Sequence, residues 1–442
     1  MAIPYREVIA SPELAAGFVD ATMIDRYLDA GSSRGELLYL GFGETWTQVA
    51  PGLASALAHP APSHVHGYVI SQYGLPRLQR ALRAYIGSSH RLPAHAEPGA
   101  HYEVAVTSGG TRSAMFDFAR TLLLDPTLEM DLAAGRRPIV IAQMPGWDYA
   151  GVAEDLGYGA RFLRLRHGMG HQPSADEFDG LVAQVAADPA SSLALVVINA
   201  QHNPTGQNWD QAVVRHMIRG AFKAGAAVLI DDAYYGVHDP GVVPTSALAI
   251  LLDELHEAPP AARRRWLAVR SLGKQFHCSG WGLGAATAHP DTLRTAMHRI
   301  HLQHGFATAI PLQHAMSTWL ESPASQRYLD ESNRAYAGKR DAVVAGLQSH
   351  LGYPAHTVHR GVCGGFMRAP LPHGYRSAPD PVHTFRQDVL DRTGVLVGVD
   401  RWTDRDDDEP PCFRLYLGPP QGVLIDALTR LQQAGFHYGR ET

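Results

Sequence analysis

Three lysines limit where amine chemistry can occur in this chain of 442 residues, because they are the only lysines among its 38 basic side chains. Lys274 follows a short apolar run at residues 267–269, where a strand is predicted to end. A lysine in a dry pocket beside other cations has a lowered pKa and forms Schiff bases. We therefore interpret Lys274 as the candidate reactive amine, and we expect Lys223 and Lys339 to be solvated.

A glycine-rich turn follows another apolar run, at residues 104–107. It reads Ser-Gly-Gly-Thr-Arg over residues 108–112 and opens a predicted helix at residues 113–124. Small residues at a helix N-terminus leave backbone N–H groups available to hold a phosphate, helped by the helix dipole. Gly110 and Thr111 are thus candidate phosphate ligands, although the same pattern is often only a tight turn.

An aromatic ring and an amide follow two further apolar runs, at residues 138–141 and 193–199. Trp147, after the first run, can stack on a flat heteroaromatic ring, although a tryptophan more often packs in a core. Asn203, after the second run, begins an Asn-Pro turn, and its amide can donate a hydrogen bond to a ring hydroxyl.

A carboxylate and a phenol follow the apolar run at residues 226–230. Asp231 comes at the end of a predicted buried strand, where a carboxylate is costly unless it is paired. A pyridinium nitrogen would be such a partner, and Tyr234 lies just beyond on the same loop. The alternative is an ordinary helix cap.

The elements that must position these residues are short apolar runs alternating with helical patterns, from about residue 37 to residue 325. Such runs are typical of strands buried on both faces, and their alternation predicts an α/β fold with a mostly parallel sheet. Ligands of parallel sheets gather outside the carboxyl ends of the strands, so the candidate residues are expected to converge there. Residues 1–36 are predicted to form an N-terminal arm and small-domain segment, residues 37–325 a large domain, and residues 326–442 a smaller α+β domain.

Together these groups match the needs of one cofactor. A phosphate cup, a stacking aromatic, a donor to a ring hydroxyl, a carboxylate and a Schiff-base lysine are what pyridoxal 5′-phosphate (PLP) requires. In this chain order they resemble the fold type I PLP enzymes of the class I/II aminotransferase family, over roughly residues 37–435. The resemblance implies a seven-stranded type of sheet sandwiched by helices. Its motifs are Asn203-Pro204-Thr205-Gly206, Asp231-x-Ala233-Tyr234 and Ser271-x-x-Lys274.

The resemblance implies a role for each matching residue that faces the ring of PLP. Lys274 would bind PLP covalently and carry the proton between the substrate Cα and the cofactor. Asp231 would hold the proton on the pyridine nitrogen. Asn203 and Tyr234 would bond the ring hydroxyl, and Trp147 would stack on the ring.

The resemblance also implies which residues hold the charged ends of cofactor and substrate. Gly110, Thr111 and Ser271 would hold the phosphate. Arg414 would bind the α-carboxylate of an amino-acid substrate through two parallel hydrogen bonds, and Gly43 would lie in the segment that closes over that carboxylate.

A homodimer with shared active sites is a further implication of the resemblance. In the family a tyrosine from the neighbouring subunit reaches the phosphate, and in this chain Tyr68 or Tyr73 could be that residue. The spacing to the following Gly-Leu-Pro at residues 74–76 leaves both open.

The chain departs from the family pattern at the phosphate. Gly273 replaces the second serine of a Ser-x-Ser-Lys motif, and Gly282 stands where the family has a phosphate-binding arginine. Losing a charge-assisted contact to a phosphate dianion is a substantial change. We hypothesise that Arg112, Arg270 or His277 restores the positive charge, or alternatively that the pocket is opened for a bulky substrate.

The expected reaction begins with abstraction of the Cα proton of an α-amino acid, and the main prediction is an aminotransferase. The segments at residues 108–110 and 145–148 are similar to those of 1-aminocyclopropane-1-carboxylate synthases. A PLP-dependent γ-elimination, γ-replacement or cyclising enzyme, using S-adenosylmethionine or a similar amino acid, is therefore the alternative. A non-catalytic PLP-fold protein is disfavoured because Lys274 and Asp231 are both present.

Composition excludes several other kinds of partner. The formal net charge is −5 and the basic residues are scattered, so no nucleic-acid partner is expected. The apolar runs are strand-sized, so no membrane partner is expected either. Charged residues interrupt the first positions, at Arg6 and Glu7, and an odd count of three cysteines fits a reducing compartment. A cytoplasmic location is therefore predicted.

Three of the 24 histidines, His298, His301 and His304, lie about one helical turn apart. No carboxylate and no matching ligand set stands near them in the sequence, so no metal site is predicted and a solvated or interface position is expected.

Overall fold

The strands of the chain form two separate sheets. The computed structural model describes residues 3–11, 14, 18–43, 49–59, 61–306, 308–399 and 409–439, and its strands lie within these ranges. The strands are β1 (Leu38–Leu40), β2 (Glu103–Ser108), β3 (Arg137–Met144), β4 (Gly159–Arg164), β5 (Ser191–Ile198), β6 (Ala227–Asp231), β7 (Trp266–Ser271), β8 (Leu283–Ala288), β9 (Phe366–Pro370), β10 (Val395–Val399) and β11 (Cys412–Tyr416).

The larger sheet has the strand order β2-β8-β7-β6-β5-β3-β4. β8 runs antiparallel to both of its neighbours, and the other pairs are parallel. This seven-stranded, mostly parallel sheet confirms the predicted fold class. Alternate side chains of β5 enter different cores: Val196 and Ile198 pack on one face, and Leu195 and Val197 pack on the other. Burial on both faces explains why the strands appear in the sequence as continuous apolar runs.

Helices cover both faces of the larger sheet and one side of the smaller one. They are α1 (Tyr5–Val8), α2 (Val19–Asp29), α3 (Pro51–Ala58), α4 (Pro76–His90), α5 (Gly110–Leu122), α6 (Pro126–Ala133), α7 (Tyr149–Glu154), α8 (Ala175–Ala187), α9 (Gln211–Lys223), α10 (Ala247–Glu254), α11 (Leu272–Phe276), α12 (Pro290–Thr295), α13 (Ile310–Leu320), α14 (Pro323–Ser349), α15 (Pro381–Thr393) and α16 (Gln421–Gln433). Within the described ranges no helix has both the length and the apolar composition needed to cross a membrane.

The smaller sheet has the order β1-β10-β11-β9, and its core includes side chains of α14, α15 and α16. β1 comes from the N-terminal part of the chain and pairs in parallel with β10, with Leu38 opposite Val395. The sequence boundary at residue 37 assigned this strand to the large domain, whereas its pairing joins it to the C-terminal sheet. The N-terminal segment therefore enters the large domain only after β1.

One prediction about the lysines is wrong. Lys339 lies on α14 and is buried, and its Nζ donates to the Gly418 carbonyl oxygen at 2.8 Å and lies 4.9 Å from the centre of the Tyr336 ring. Burial lowers the pKa of Lys339 to about 8. The face of α14 that carries Lys339 packs against the C-terminal segment near Gly418. The charged residues that surround Lys339 in the sequence gave no sign of this packing. Lys223 is exposed, as expected.

Candidate active site

A cavity of about 670 Å³ lies at the carboxyl ends of the strands of the larger sheet. Its lining includes all the predicted site residues except Tyr68 and Tyr73. They are Gly43, Gly110, Thr111, Arg112, Trp147, Asn203, Asp231, Tyr234, Ser271, Lys274 and Arg414.

The Lys274 amine lines the cavity and is hydrogen-bonded to described residues there. Its Nζ donates to the Gly43 carbonyl oxygen at 2.7 Å and to the Ser279 Oγ at 3.3 Å. Ser271 caps the short helix α11, because its Oγ accepts from the Lys274 backbone N–H at 3.3 Å. The serine at the end of β7 thus fixes the first turn that carries the lysine.

The Asp231 carboxylate lies at the end of β6 and is buried. Its Oδ2 accepts from the Tyr149 hydroxyl at 2.7 Å, and its Oδ1 accepts from the Ala233 N–H at 3.0 Å. Burial raises the pKa of the Asp231 carboxyl, and these two hydrogen bonds oppose the rise. A carboxylate can accept about four hydrogen bonds, so Asp231 can still bind a further donor or cation from the cavity.

The glycine-rich turn forms an open cup at the start of α5. Gly109 and Gly110 have φ angles of +93° and +76°, which favour glycine, and α5 has no side-chain N-cap. A Cβ added at Gly110 would meet nothing within 4 Å. The Gly110 N–H itself donates to the Gly282 carbonyl oxygen at 2.7 Å. The first-turn amides of Thr111 and Arg112 are therefore the ones that α5 directs toward an anion.

The local backbone explains the glycine at position 282. Gly282 has a φ of +62°, and a Cβ there would lie 3.3 Å from the Gly109 nitrogen. A side chain would strain this turn and press on the cup. Gly282 therefore fits close backbone packing between the two loops, apart from any effect on the size of the pocket.

Of the three cations considered for the phosphate, only Arg112 lines the cavity. Its guanidinium carbon lies 4.9 Å from the centre of the Trp147 ring. Arg270 points to the other face of the sheet, and the ring nitrogens of His277 contact the hydroxyls of Tyr328 and Tyr336. The alternatives Arg270 and His277 are thus wrong on geometric grounds.

Asn203 and Tyr234 close the floor of the cavity near Lys274. The Asn203 amide oxygen is buried and has no hydrogen-bond partner among the residues that the structure describes. The Tyr234 hydroxyl lies close to the Gly43 backbone, since a Cβ built on Gly43 would be 3.4 Å from it and 3.2 Å from the Lys274 Nζ. Gly43 therefore permits the N-terminal segment to approach both side chains.

Arg414 lies on β11 of the smaller sheet and lines the cavity. It is buried, one terminal nitrogen donates to the Gly41 carbonyl oxygen at 3.2 Å, and its guanidinium carbon stacks 4.1 Å from the centre of the Phe366 ring. Stacking on an aromatic ring orients the planar guanidinium, which suits two-point binding of a carboxylate.

Tyr68 and Tyr73 do not line the cavity of their own chain. Tyr68 is 80% exposed, and its ring contacts Phe306 at a centroid distance of 5.5 Å. Tyr73 is partly buried against His298, with ring centroids 5.5 Å apart. That one of these two tyrosines reaches the phosphate site of a neighbouring subunit stays a prediction.

The sequence analysis missed several residues that contact the predicted ones. Tyr149 bonds Asp231, and Ser279 bonds the Lys274 amine. Phe18 and Phe42 form an edge-to-face pair at the cavity, with centroids 6.2 Å apart. Tyr149 stands directly after the Trp-Asp pair in the loop that follows β3. Its position just after a strand end could therefore have identified it as a candidate site residue.

The sequence analysis predicted no metal site at the three histidines partly because no carboxylate stands near them. In the folded chain a carboxylate does lie beside two of them. Asp117, in the middle of α5, is buried and lies within hydrogen-bond distance of both His301 and His304. His298 is exposed and lies apart from this group.

Several solved structures with the same fold are named aminotransferases. A double mutant of the Thermus thermophilus aspartate aminotransferase superposes with a TM-score of 0.73 at 19% identity, covering 98% of this chain and 100% of that one. The likeness shows an α/β fold of the aspartate aminotransferase type. The model of the family described as aminotransferase class I and II matches residues 161–398. Since this match spans more than half of the sequence, the chain belongs to that family.

Relatives of known activity match part of the chain. The LL-diaminopimelate aminotransferase of Moorella thermoacetica is 28% identical over 216 residues, which cover 48% of this chain and 49% of that protein. The methionine aminotransferase of Escherichia coli is 28% identical over 153 residues, covering 35% of this chain and 36% of that protein. The chain thus aligns with half or less of the length of these relatives.

The cofactor of the family is PLP, and the cavity fits it. The unpartnered amide oxygen of Asn203 leaves that side chain with hydrogen-bonding capacity toward the cavity. The cup at Gly110 has open space in front of uncapped helix amides, as a phosphate requires. Asp231, whose pKa burial raises, would be stabilised by a cationic ring nitrogen.

Proposed function

We propose that the chain is a PLP-dependent aminotransferase acting on an α-amino acid. One observation carries the proposal: the Lys274 amine and the buried Asp231 carboxylate line the same cavity as an uncapped helix N-terminus. When bound, PLP would supply an electron-accepting ring that stabilises negative charge at the substrate Cα. The named family relatives and the fold support this activity.

Asp231 would orient the cofactor ring and place a negative charge beside the ring nitrogen. Its carboxylate, held by Tyr149 and the Ala233 N–H, would accept a hydrogen bond from the protonated ring nitrogen of PLP and stabilise that proton. Asn203 and Tyr234, which line the cavity, would bind the ring hydroxyl, and Trp147 would stack on the ring. These contacts would hold the electron-accepting ring beside the Lys274 amine.

Lys274 moves the proton. Its Nζ is held by the Gly43 carbonyl oxygen and the Ser279 hydroxyl, so the amine has defined partners when it takes a proton from the substrate Cα and delivers it elsewhere. Ser271 positions the lysine through the cap of α11 and contacts the phosphate side of the cavity.

Separate groups of the cavity lining would bind the two anionic ends, the cofactor phosphate and the substrate carboxylate. Gly110, Thr111 and Arg112 take the phosphate, with the Arg112 guanidinium supplying the charge that position 282 lacks. Arg414 takes the substrate carboxylate. The aromatic pair Phe18 and Phe42 favours a donor amino acid with an apolar side chain.

We further propose a homodimer in which Tyr68 completes the partner's phosphate site, because its ring is exposed in the single chain. A cytoplasmic location is proposed as well, supported by the free and buried state of Cys278, Cys363 and Cys412.

The test presents the PLP-loaded chain with single amino acids and S-adenosylmethionine, without a keto acid. Transamination converts bound PLP to pyridoxamine phosphate, which is measured by absorbance and by mass after release. Lys274→Ala should lower this rate about 10³-fold, since the amine moves the proton. Borohydride reduction should attach the cofactor to wild-type chain and not to this variant.

Lys223→Ala, which changes an exposed lysine, is the matched control and should behave as wild type. Consumption of an amino acid with PLP regenerated and no pyridoxamine phosphate formed would overturn transamination in favour of elimination, replacement or cyclisation.

A further inference from the structure

A buried carboxylate and two imidazoles meet outside the cavity, beside the start of the cup. The Asp117 Oδ2 lies 3.1 Å from the His301 Nδ1, and its Oδ1 lies 2.7 Å from the His304 Nε2. One ligand atom from each residue lies within 4.8 Å of the other two. Asp117 and His301 are buried, and the His304 side chain is 42% exposed.

We propose that Asp117, His301 and His304 form a binding site for a divalent transition-metal cation such as Zn²⁺. Tetrahedral ligands at 2.0–2.1 Å from zinc are about 3.3 Å apart. The two imidazole nitrogens lie 3.1 Å and 2.7 Å from different oxygens of Asp117, and the three ligand atoms lie within 4.8 Å of one another, so small side-chain movements would bring them to that spacing. Two imidazoles and one carboxylate are nitrogen and oxygen ligands that such cations prefer. The half-exposed His304 leaves an entry path and a fourth position for water.

The backbone is shaped to bring the two histidines to one carboxylate. A π-helical stretch, Ala296–Ile300, is followed by a tight turn, His301–Gln303, so that the chain leaves regular α-helix just before the ligands. Gly305 packs against His301, since a Cβ there would lie 2.9 Å from the ring. Both His301 and His304 thereby face Asp117 on α5.

The other nitrogen of His301 has a partner suited to a metal ligand. Its Nε2 lies 3.4 Å from the Ser108 Oγ. Metal-binding histidines use their second ring nitrogen to hold the ring in place, and a serine hydroxyl can donate to it or accept from it. Ser108 can therefore serve the ring whether Nδ1 carries a proton or a metal.

The test measures metal retention and does not depend on transamination. Tag-free, PLP-loaded chain is stripped with chelator, dialysed against Zn²⁺, desalted and analysed for zinc; Co²⁺ binding is followed by its visible absorbance. We expect one tightly held cation per chain. Asp117→Asn and His304→Ala should weaken zinc binding by roughly 100-fold or more, since even outer partners of metal sites matter by 10–100-fold.

His298→Ala is the matched control, because this exposed histidine lies on the same segment outside the group. It should bind zinc as wild type does, and PLP is present in every sample, so cofactor chelation cancels. Equal zinc retention by wild type and His304→Ala, or no retention by wild type, would overturn the proposal and leave a hydrogen-bonded cluster only.

Discussion

Two neighbouring carboxylates at the carboxyl end of β6 point to opposite faces of the larger sheet and have contrasting surroundings. Asp231 faces the cavity and accepts hydrogen bonds from Tyr149 and Ala233. Asp232 points to the opposite face of the sheet, here called the rear face, and is also buried. Neither of its oxygens has a hydrogen-bond partner among the described residues. The His90 Nε2 lies 3.7 Å from it. Burial raises the pKa of Asp232 to about 8, against the attraction of Arg270.

The rear face is organised around Arg270. Its guanidinium carbon lies 4.8 Å and 4.9 Å from the ring centres of Tyr85 and Tyr235, and one nitrogen donates to the Ser89 Oγ at 2.8 Å. The same nitrogen lies 3.0 Å from the His90 Nε2, and burial lowers the pKa of His90 well below its usual value. Arg270 and His90 line a second cavity, of about 630 Å³, on this face, but Asp232 does not, whereas Asp231 lines the candidate active site. Equal burial therefore does not imply an equal role.

The largest expected effect separates the two carboxylates by activity. Asp231→Asn should slow the conversion of PLP to pyridoxamine phosphate about 10³-fold, because it removes a fixed charge at the ring nitrogen. Asp232→Asn should leave the rate within about threefold, since its side chain does not line the cavity. Stopped-flow absorbance measures both. A comparable loss in the two variants would contradict the division between the faces.

The next comparison concerns two arginines, one on each face. Arg270→Met should lower the free energy of unfolding by about 3 kcal/mol, because it removes the buried hydrogen bond to Ser89 and the stacking of the guanidinium on the Tyr85 and Tyr235 rings. Arg112→Met should barely change stability, because the side chain is exposed, but should weaken PLP binding about tenfold. Urea unfolding and PLP titration check each variant. Unchanged PLP affinity in Arg112→Met would remove Arg112 from the phosphate site.

The smallest expected effect is a change in pH dependence. Asp232 has a folded pKa of about 8 and an unfolded pKa of about 3.9, so between these values the folded state holds a proton that the unfolded state has lost. Stability therefore falls as pH rises toward 8. Asp232→Asn should flatten this slope. Urea midpoints between pH 6.5 and 8, above the usual range of His90, measure it, and parallel curves for wild type and variant would refute it.

Sequence patterns anticipated the central strands because burial on both faces leaves a continuous apolar run. They missed β4 and β8. β4 lies at an edge and carries Arg161 and Arg164, so it has no such run. β8 is mostly alanine and glycine, which have weak strand preference, and its neighbours determine its conformation.

The site residues, like the strands, divide into those that the sequence could predict and those that it could not. Residues at strand ends, such as Asn203 and Lys274, could be found because the topology of a parallel sheet brings strand ends together. Partners supplied by distant segments could not: Tyr149 and Asp231 are 82 positions apart, and Asp117 and His301 are 184 apart. Periodicity within one segment contains no information on such pairs.

The pairing of β1 gives the reactive amine a mechanical link to the smaller sheet. Leu40 is paired with Val397 of β10, and only three positions later the Gly43 carbonyl oxygen holds the Lys274 Nζ. Between them, Gly41 is held by Arg414 of β11. Four residues, 40–43, therefore connect the pairing with β10 and the contact with β11 to the reactive amine. A shift of the smaller sheet relative to the larger one would therefore change the hydrogen bond that holds the Lys274 amine.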